Sequence, residues 1–314
     1  MNNPTSTPWL DQFVLSRDLR ALGRHSELVS LVRRGELVPV IRGVYRHASD
    51  VTTDPVRVTD DAFLARVRAT QVLSEKPFLY CGFAAAAVWG LPVVGIWPKR
   101  VSILVPPSAG GRSNSLLIRT SVGHPAAGVS RGGVWVTSLS RTVVDIGRTA
   151  SFSQAVAMAD AALSGSRDRD PASREALLAE LATLGSAPGR ARCRGALEFA
   201  DGASGSTGES VSRVAIRLLA LPPPMLQVPF TDSRGLMIVD FFWPELGLIG
   251  EFDGYGKYLR EEFTHGRSVA EIVMDEKTRE NRLRALGFTV VRWDWPVARS
   301  LANLRERLAA AGMH

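Results

Sequence analysis

The chain has 314 residues, which at roughly 150 residues per domain points to about two domains. Apolar residues make up 45% and charged residues 22%, near the globular average, so whole-chain disorder, collagen and coiled coil are excluded. The net charge of +7 is unevenly spread: residues 1–150 carry 18 basic against 10 acidic side chains, residues 151–208 sum to −1, and residues 209–314 to 0. The basic excess therefore directs the search for a polyanion partner to the first half. Nearly all of it is arginine, which a GC-rich genome also explains. The cysteines, Cys81 and Cys193, are too few for a disulfide framework or a Cys-based zinc site. They fit a reducing, cytoplasmic setting. The start, MNNPTSTPWLDQF, has no basic region followed by an apolar run, so no signal peptide is expected.

In chain order, Leu10, Phe13, Val14, Leu19 and Leu22 give a helical apolar spacing that ends at Gly23. A second helix follows, with Leu28, Leu31 and Val32 on one face, and Gly35 ends it. Leu37–Ile41, a turn at Arg42-Gly43 and Val44-Tyr45-Arg46 then read as a hairpin. Helix, tight turn, helix and hairpin is the order of a winged helix-turn-helix, whose second helix enters the major groove of duplex DNA. Arg24, Arg33, Arg34, Arg42 and Arg46 are the candidate phosphate contacts. A small helical subdomain with solvated arginines is the plainer reading of the same residues.

Pro77–Pro98 carries no charge and is long enough to span a bilayer. Gly82, Gly90, Gly95 and Pro92 break the helix that lipid would demand, so a short buried helix with a Gly-Leu-Pro turn is expected, and no membrane partner. Strands are expected near 100–105 and 134–138. Residues 165–208 are rich in Gly, Ser, Ala and Arg, with helical patterns over 174–184 and 190–200, and read as a partly helical connector.

Three stretches of this first half carry a family resemblance. LRALGRHSELVSLVRRGELVPVIRGVYR resembles the N-terminal winged helix of AbiEi-type antitoxins of type IV toxin–antitoxin systems, at Leu19, Gly23, Arg33, Gly35, Leu37, Arg42, Gly43, Val44 and Tyr45. FAAAAVWGLPVVG and VTSLSRTVVDIGR are similar to the middle region of such proteins, so the resemblance covers about residues 10–164. It implies duplex DNA as a partner and a cognate toxin as a second one. Arg141 and Asp145, at i and i+4, read as a helix salt bridge rather than a catalytic pair.

The last segment is the richest in chemistry. A helix from Glu209 to Leu221 stopped by three prolines, strands over 226–230, 236–242 and 248–252, a helix over 269–286, a strand over 288–293 and a helix over 297–310 give the order αβββαβ-α. Asp240 interrupts an apolar strand, and Glu251 and Asp253, two apart, point to one face of the next. A tight hairpin brings Asp240 near them. Clustered carboxylates repel unless a cation or proton compensates, and hard oxygen donors at this density suit Mg²⁺ or Mn²⁺.

That order and these acids resemble the PD-(D/E)XK nuclease superfamily, particularly its DUF559-type and very-short-patch-repair-like branch, at Asp240, Glu251, Asp253 and Gly254. Lys277, Arg279, Leu283, Gly287, Arg292 and Trp293 fit the helix and strand that follow in that branch. The resemblance implies Glu209, Asp240 and Glu251 as metal ligands, Asp253 and Lys277 as further catalytic groups, and hydrolysis of phosphodiesters. The superfamily's lysine position, two after the Glu, holds Asp253 here, so Lys257, Lys277 or a second metal-bound water is expected to take the lysine's place. The competing expectation is a degenerate fold in which the acids pair with Lys277, Arg279 or Arg292, and the protein is a non-enzymatic antitoxin and autorepressor.

The expected fold class is α+β: a winged helix-turn-helix over 1–50, a mixed α/β domain over 51–164, the connector, and a restriction-endonuclease-like core over 209–314.

Overall fold

A computed structural model describes residues 9–55, 57–106, 113–121, 128–254 and 269–313. Lys257, one of the candidate cations, lies outside the described residues. The fold is mixed α+β and separates into two compact units, one taking the chain to Leu91 with Gly95–Ile146, the other Pro92–Val94 with everything from Gly147.

The first unit begins with a short 3-10 turn, Leu10–Gln12, then strand β1 (Phe13–Leu15), helix α1 (Ser16–Ala21) and helix α2 (His25–Arg33). A hairpin of β2 (Leu37–Ile41) and β3 (Val44–His47) follows, and the sheet runs β1-β3-β2. This is the winged helix-turn-helix arrangement. The expected single helix through Leu10–Leu22 is thus a turn, a strand and a short helix. Phe13 is aromatic and Val14 β-branched, types that favour a strand, and Phe13–Leu15 pairs with Val44–Arg46. The hairpin turn rests on Gly43, at φ +83°, where an L side chain would be strained. Leu15 and Val44 pack on Ala69 of α3 (Val58–Val72), which anchors the wing.

Beyond α3 stand β4 (Leu79–Tyr80), α4 (Gly82–Trp89), β5 (Val101–Val105), β6 (Leu117–Ser121), β7 (Gly128–Arg131), β8 (Val134–Thr137) and α5 (Leu139–Thr149). The five strands form one sheet in the order β6-β5-β4-β8-β7. The uncharged stretch resolves into the expected buried α4, ended by Gly90, and among the described residues no helix is long and apolar enough to cross a membrane. Arg141, almost fully buried, holds Asp145 at 3.0 Å within α5.

The second unit comprises α6 (Phe152–Ser164), α7 (Arg174–Thr183), α8 (Arg190–Phe199) and α9 (Thr207–Leu218), then β9 (Met225–Asp232), β10 (Gly235–Trp243) and β11 (Leu248–Phe252). It ends with α10 (Val269–Ala285), β12 (Thr289–Trp293), α11 (Trp295–Ala298) and α12 (Leu301–Ala309). The sheet runs β12-β11-β10-β9, with β11 and β12 parallel and the other pairs antiparallel, which is the expected αβββαβ order. The expected connector over 165–208 is instead part of this unit. Leu177, Leu181, Cys193, Ala196 and Leu197 are fully buried, more apolar surface than a tether would hide. Asp160 on α6 and Arg213 on α9, both buried, pair at 2.9 Å. The expected last helix is split at Ser300, whose hydroxyl accepts from the amide of Asn303 and starts α12.

The sheet has a different core on each face. Val211, Ala215 and Ile216 of α9 meet Phe241, Trp243, Phe252 and Trp293 on one side. Leu283 of α10 meets Met237, Val239, Ile249 and Val290 on the other. Val239 and Phe241, two apart on β10, therefore face opposite cores, and so do Val228 and Leu226 on β9. Side chains two apart in a regular strand share a face, so the alternation switches at Asp240 and Gln227. Gln227 has φ +50°, in the left-handed region, and the β9–β10 pairing continues on both sides of Gln227 and Asp240.

Candidate active site

The switch point is where the polar residues gather. Gln227 and Asp240 lie opposite one another between the Val228–Val239 and Leu226–Phe241 pairs, Asp240 and Glu251 flank the Phe241–Gly250 pair that ends the β10–β11 ladder, and Glu251 pairs with Arg292 on β12. One polar row thus crosses all four strands. It floors a cleft of about 330 Å³ whose lining includes Glu209, Gln227, Asp240, Glu251, Asp253, Glu276, Arg279 and Arg292.

Glu209 reaches this cleft from α9. Ser206 caps the helix by accepting from the Glu209 amide at 3.2 Å, and the Glu209 carboxylate accepts from the Gly205 amide at 2.8 Å, a capping arrangement. Gly208 lets α9 approach the sheet: a Cβ there would lie 2.0 Å from the Phe252 ring. The Gln227 amide nitrogen donates to Glu209 at 2.9 Å and to Asp240 at 3.4 Å. Asp240 also accepts from the backbone amide of Phe252 at 2.8 Å, which ties it to the end of β11.

Glu251 is 4% exposed. Burial pushes its carboxyl above the ordinary value of 4.5; Arg279 opposes that shift and the neighbouring Asp240 adds to it. Arg279 Nη1 stands 2.6 Å from Glu251 Oε1, off the line a hydrogen bond needs, so this buried oxygen has a charge contact and no hydrogen bond. The second Arg279 nitrogen donates to the Ile238 carbonyl. Arg292 lies 4.0 Å from the other Glu251 oxygen and donates to Asp253 at 3.1 Å and Glu276 at 2.6 Å.

The structure therefore brings Glu209, Asp240, Glu251 and Asp253 to one cleft, as the sequence leads one to expect. Lys277 is different: it is exposed and does not line the cleft. The cation facing Glu251 is Arg279, two residues on, because a step of two on a helix turns the side chain to nearly the opposite face. Gln227 and Glu276 were not legible as site residues. Gln227 had one signal, an amide among the apolar residues of a strand, as Asp240 has.

The cleft holds five carboxylates against two guanidiniums. Among the described residues no three His, Cys, Asp or Glu side chains are grouped so as to enclose an ion. Mg²⁺ and Mn²⁺ need no such cage; one or two carboxylates with waters and phosphate oxygens suffice. Asp240 and Glu251, level on adjacent strands with a buried carboxylate oxygen lacking a hydrogen bond, fit that donor set.

In the first unit the candidate phosphate contacts separate. Arg33 and Arg42 are exposed. Arg24 is exposed and paired with Glu27 at 2.5 Å, and Arg34 with Glu36. Arg46 departs from the expected phosphate contact: its side chain is 6% exposed, pairs with Asp61 of α3 at 2.9 Å and donates to the Asp50 carbonyl, so it braces the wing rather than facing a polyanion.

No family model matches the chain. A structural likeness to the RV2827C protein of Mycobacterium tuberculosis covers 64% of this chain and 74% of that one, at 15% identity and a TM-score of 0.35, too distant to carry an argument. Two curated relatives, the uncharacterized proteins MT2308 and Rv2248 of two Mycobacterium tuberculosis strains, are each 30% identical over 264 residues. The match spans 83% of this chain and 86% of each relative. Over that length and identity, the chain belongs to the family of these two mycobacterial proteins.

Proposed function

We propose that the second unit is a PD-(D/E)XK-type phosphodiesterase that cleaves nucleic acid with Mg²⁺ or Mn²⁺, and that the winged helix of the first unit binds duplex DNA, in an AbiEi-like defence or toxin–antitoxin setting with a cognate toxin as partner. The observation that carries this reading is the polar row Gln227–Asp240–Glu251–Arg292 across β9 to β12, with Glu209 added from α9.

Asp240 and Glu251 would hold the cation, with Glu209 and Asp253 flanking. Bound there, a divalent cation would activate water and stabilise the charge of a phosphodiester transition state. The chain's own groups supply the rest. The Phe252 amide and Gln227 orient the Asp240 carboxylate. Arg279, a third exposed, presents a guanidinium able to meet a phosphate oxygen. Arg292 pairs with Asp253 and Glu276 and offsets part of the negative charge of the cleft.

Incubation of the protein with labelled duplex DNA, single-stranded DNA and RNA, with Mn²⁺ and with chelator, tests this. Metal-dependent cleavage that Asp240→Asn abolishes supports it; cleavage of RNA alone changes the substrate class. No cleavage of any of them by the wild type counts against an enzyme.

One observation favours a second reading. Arg279 already stands against Glu251 at 2.6 Å, as a degenerate site would have it. The protein would then be a DNA-binding autorepressor whose second unit is an interaction module, and Arg279→Gln would destabilise it without changing its affinity for Mn²⁺.

A further inference from the structure

Gln227 is in an unusual place for its residue type. Apart from glycines, only it and Ala220 have positive φ among the described residues. A left-handed residue in mid-strand switches the faces of β9, and glycine does that without strain. The chain places glutamine there instead. Such strain persists where the side chain is needed and the surroundings hold it. What this side chain does is specific: its amide nitrogen bridges a carboxylate on a helix, Glu209 at 2.9 Å, and one on the sheet, Asp240 at 3.4 Å. The arrangement is close-fitting, since a Cβ on Gly205 would lie 3.2 Å from the same nitrogen.

We infer that Gln227 is a positioning residue of the candidate metal site: its amide sets the separation and orientation of Glu209 and Asp240, and the strained backbone aims it between them. This rests on the metal-site reading above. It separates two roles at one position, since the face switch needs only the backbone and the carboxylate bridge needs only the side chain.

The test uses the full chain with Mn²⁺ as the probe, free Mn²⁺ being followed by electron paramagnetic resonance, alongside thermal unfolding without metal. Gln227→Gly keeps the left-handed backbone and removes the amide. Gln227→Asn tolerates that backbone and keeps an amide that is one methylene too short. Both variants are expected to unfold at or above the wild-type temperature and to bind Mn²⁺ about ten- to a hundredfold more weakly, as loss of an orienting partner does elsewhere. Wild-type Mn²⁺ affinity in both variants would overturn the inference and leave the metal-site reading standing. A large loss of metal-free stability in both would also overturn it, because the side chain would then merely brace the fold. No Mn²⁺ binding by the wild type would overturn both.

Discussion

Glu251 and Arg279 stand 2.6 Å apart, yet the Glu251 carboxyl is held above its ordinary value of 4.5, because burial outweighs the guanidinium and Asp240 adds repulsion. An acid whose folded value is raised contributes stability that is fully present below its unfolded value and is lost as pH rises through the folded one. Replacing it by a neutral isostere removes that loss. Glu251→Gln should therefore unfold at a higher temperature than wild type at neutral pH, with the gap closing towards pH 4. Thermal melts across that range, without metal, check it; a variant less stable than wild type at neutral pH would show the Arg279 contact to dominate.

Gly208 sets how closely α9 meets the sheet. A methyl group there would meet the Phe252 ring at 2.0 Å, so the helix must shift or the ring must turn. Gly208→Ala should destabilise by about 1–3 kcal/mol through overpacking, and where the helix is what gives way, Glu209 moves relative to Gln227. Urea unfolding measures the first effect.

Asp160 is the buried partner of Arg213 and also accepts from the Asp201 amide at 2.7 Å. Asp160→Ala strands a buried guanidinium, and breaking such a pair costs about 3–5 kcal/mol. Chemical denaturation should show that loss.

The winged-helix arginines divide into two groups that mutation separates. Removing exposed Arg33 and Arg42 together should lower the log–log salt slope of duplex DNA binding by about 1.8, at roughly 0.9 per phosphate contact, without changing stability. Arg46→Ala should do the reverse, because it breaks the Asp61 pair beneath the wing. Salt-titrated binding and thermal melts on the same proteins distinguish the groups.

The αβββαβ order was legible because each strand is a short apolar run between turn residues, and because Asp240 and Glu251 break those runs. Period-two alternation put Glu251 and Asp253 on one face and the tight hairpin brought Asp240 near them, although the alternation itself switches at Asp240. Gln227 was hidden, since its role depends on a positive φ that no local pattern announces. The choice of Arg279 over Lys277 depended on the rotation of α10 against the sheet, which tertiary packing sets. The winged helix was read correctly from its hairpin, yet Phe13–Leu15 read as helix because its strand partner lies thirty residues on. Residues 165–208 read as a connector because small residues mask Leu177, Leu181 and Leu197, which three-dimensional packing buries.

The central claim is that Asp240 and Glu251 form a divalent-cation site, and thermal unfolding with and without Mn²⁺ tests it most directly. Wild type should be stabilised by Mn²⁺, by about 2.7 kcal/mol at a hundred times the dissociation constant. Asp240→Asn and Glu251→Gln should lose that gain while matching or exceeding wild type without metal, since each relieves carboxylate repulsion. A wild type that Mn²⁺ does not stabilise, with an Asp240→Asn protein that melts far lower without metal, would contradict the account.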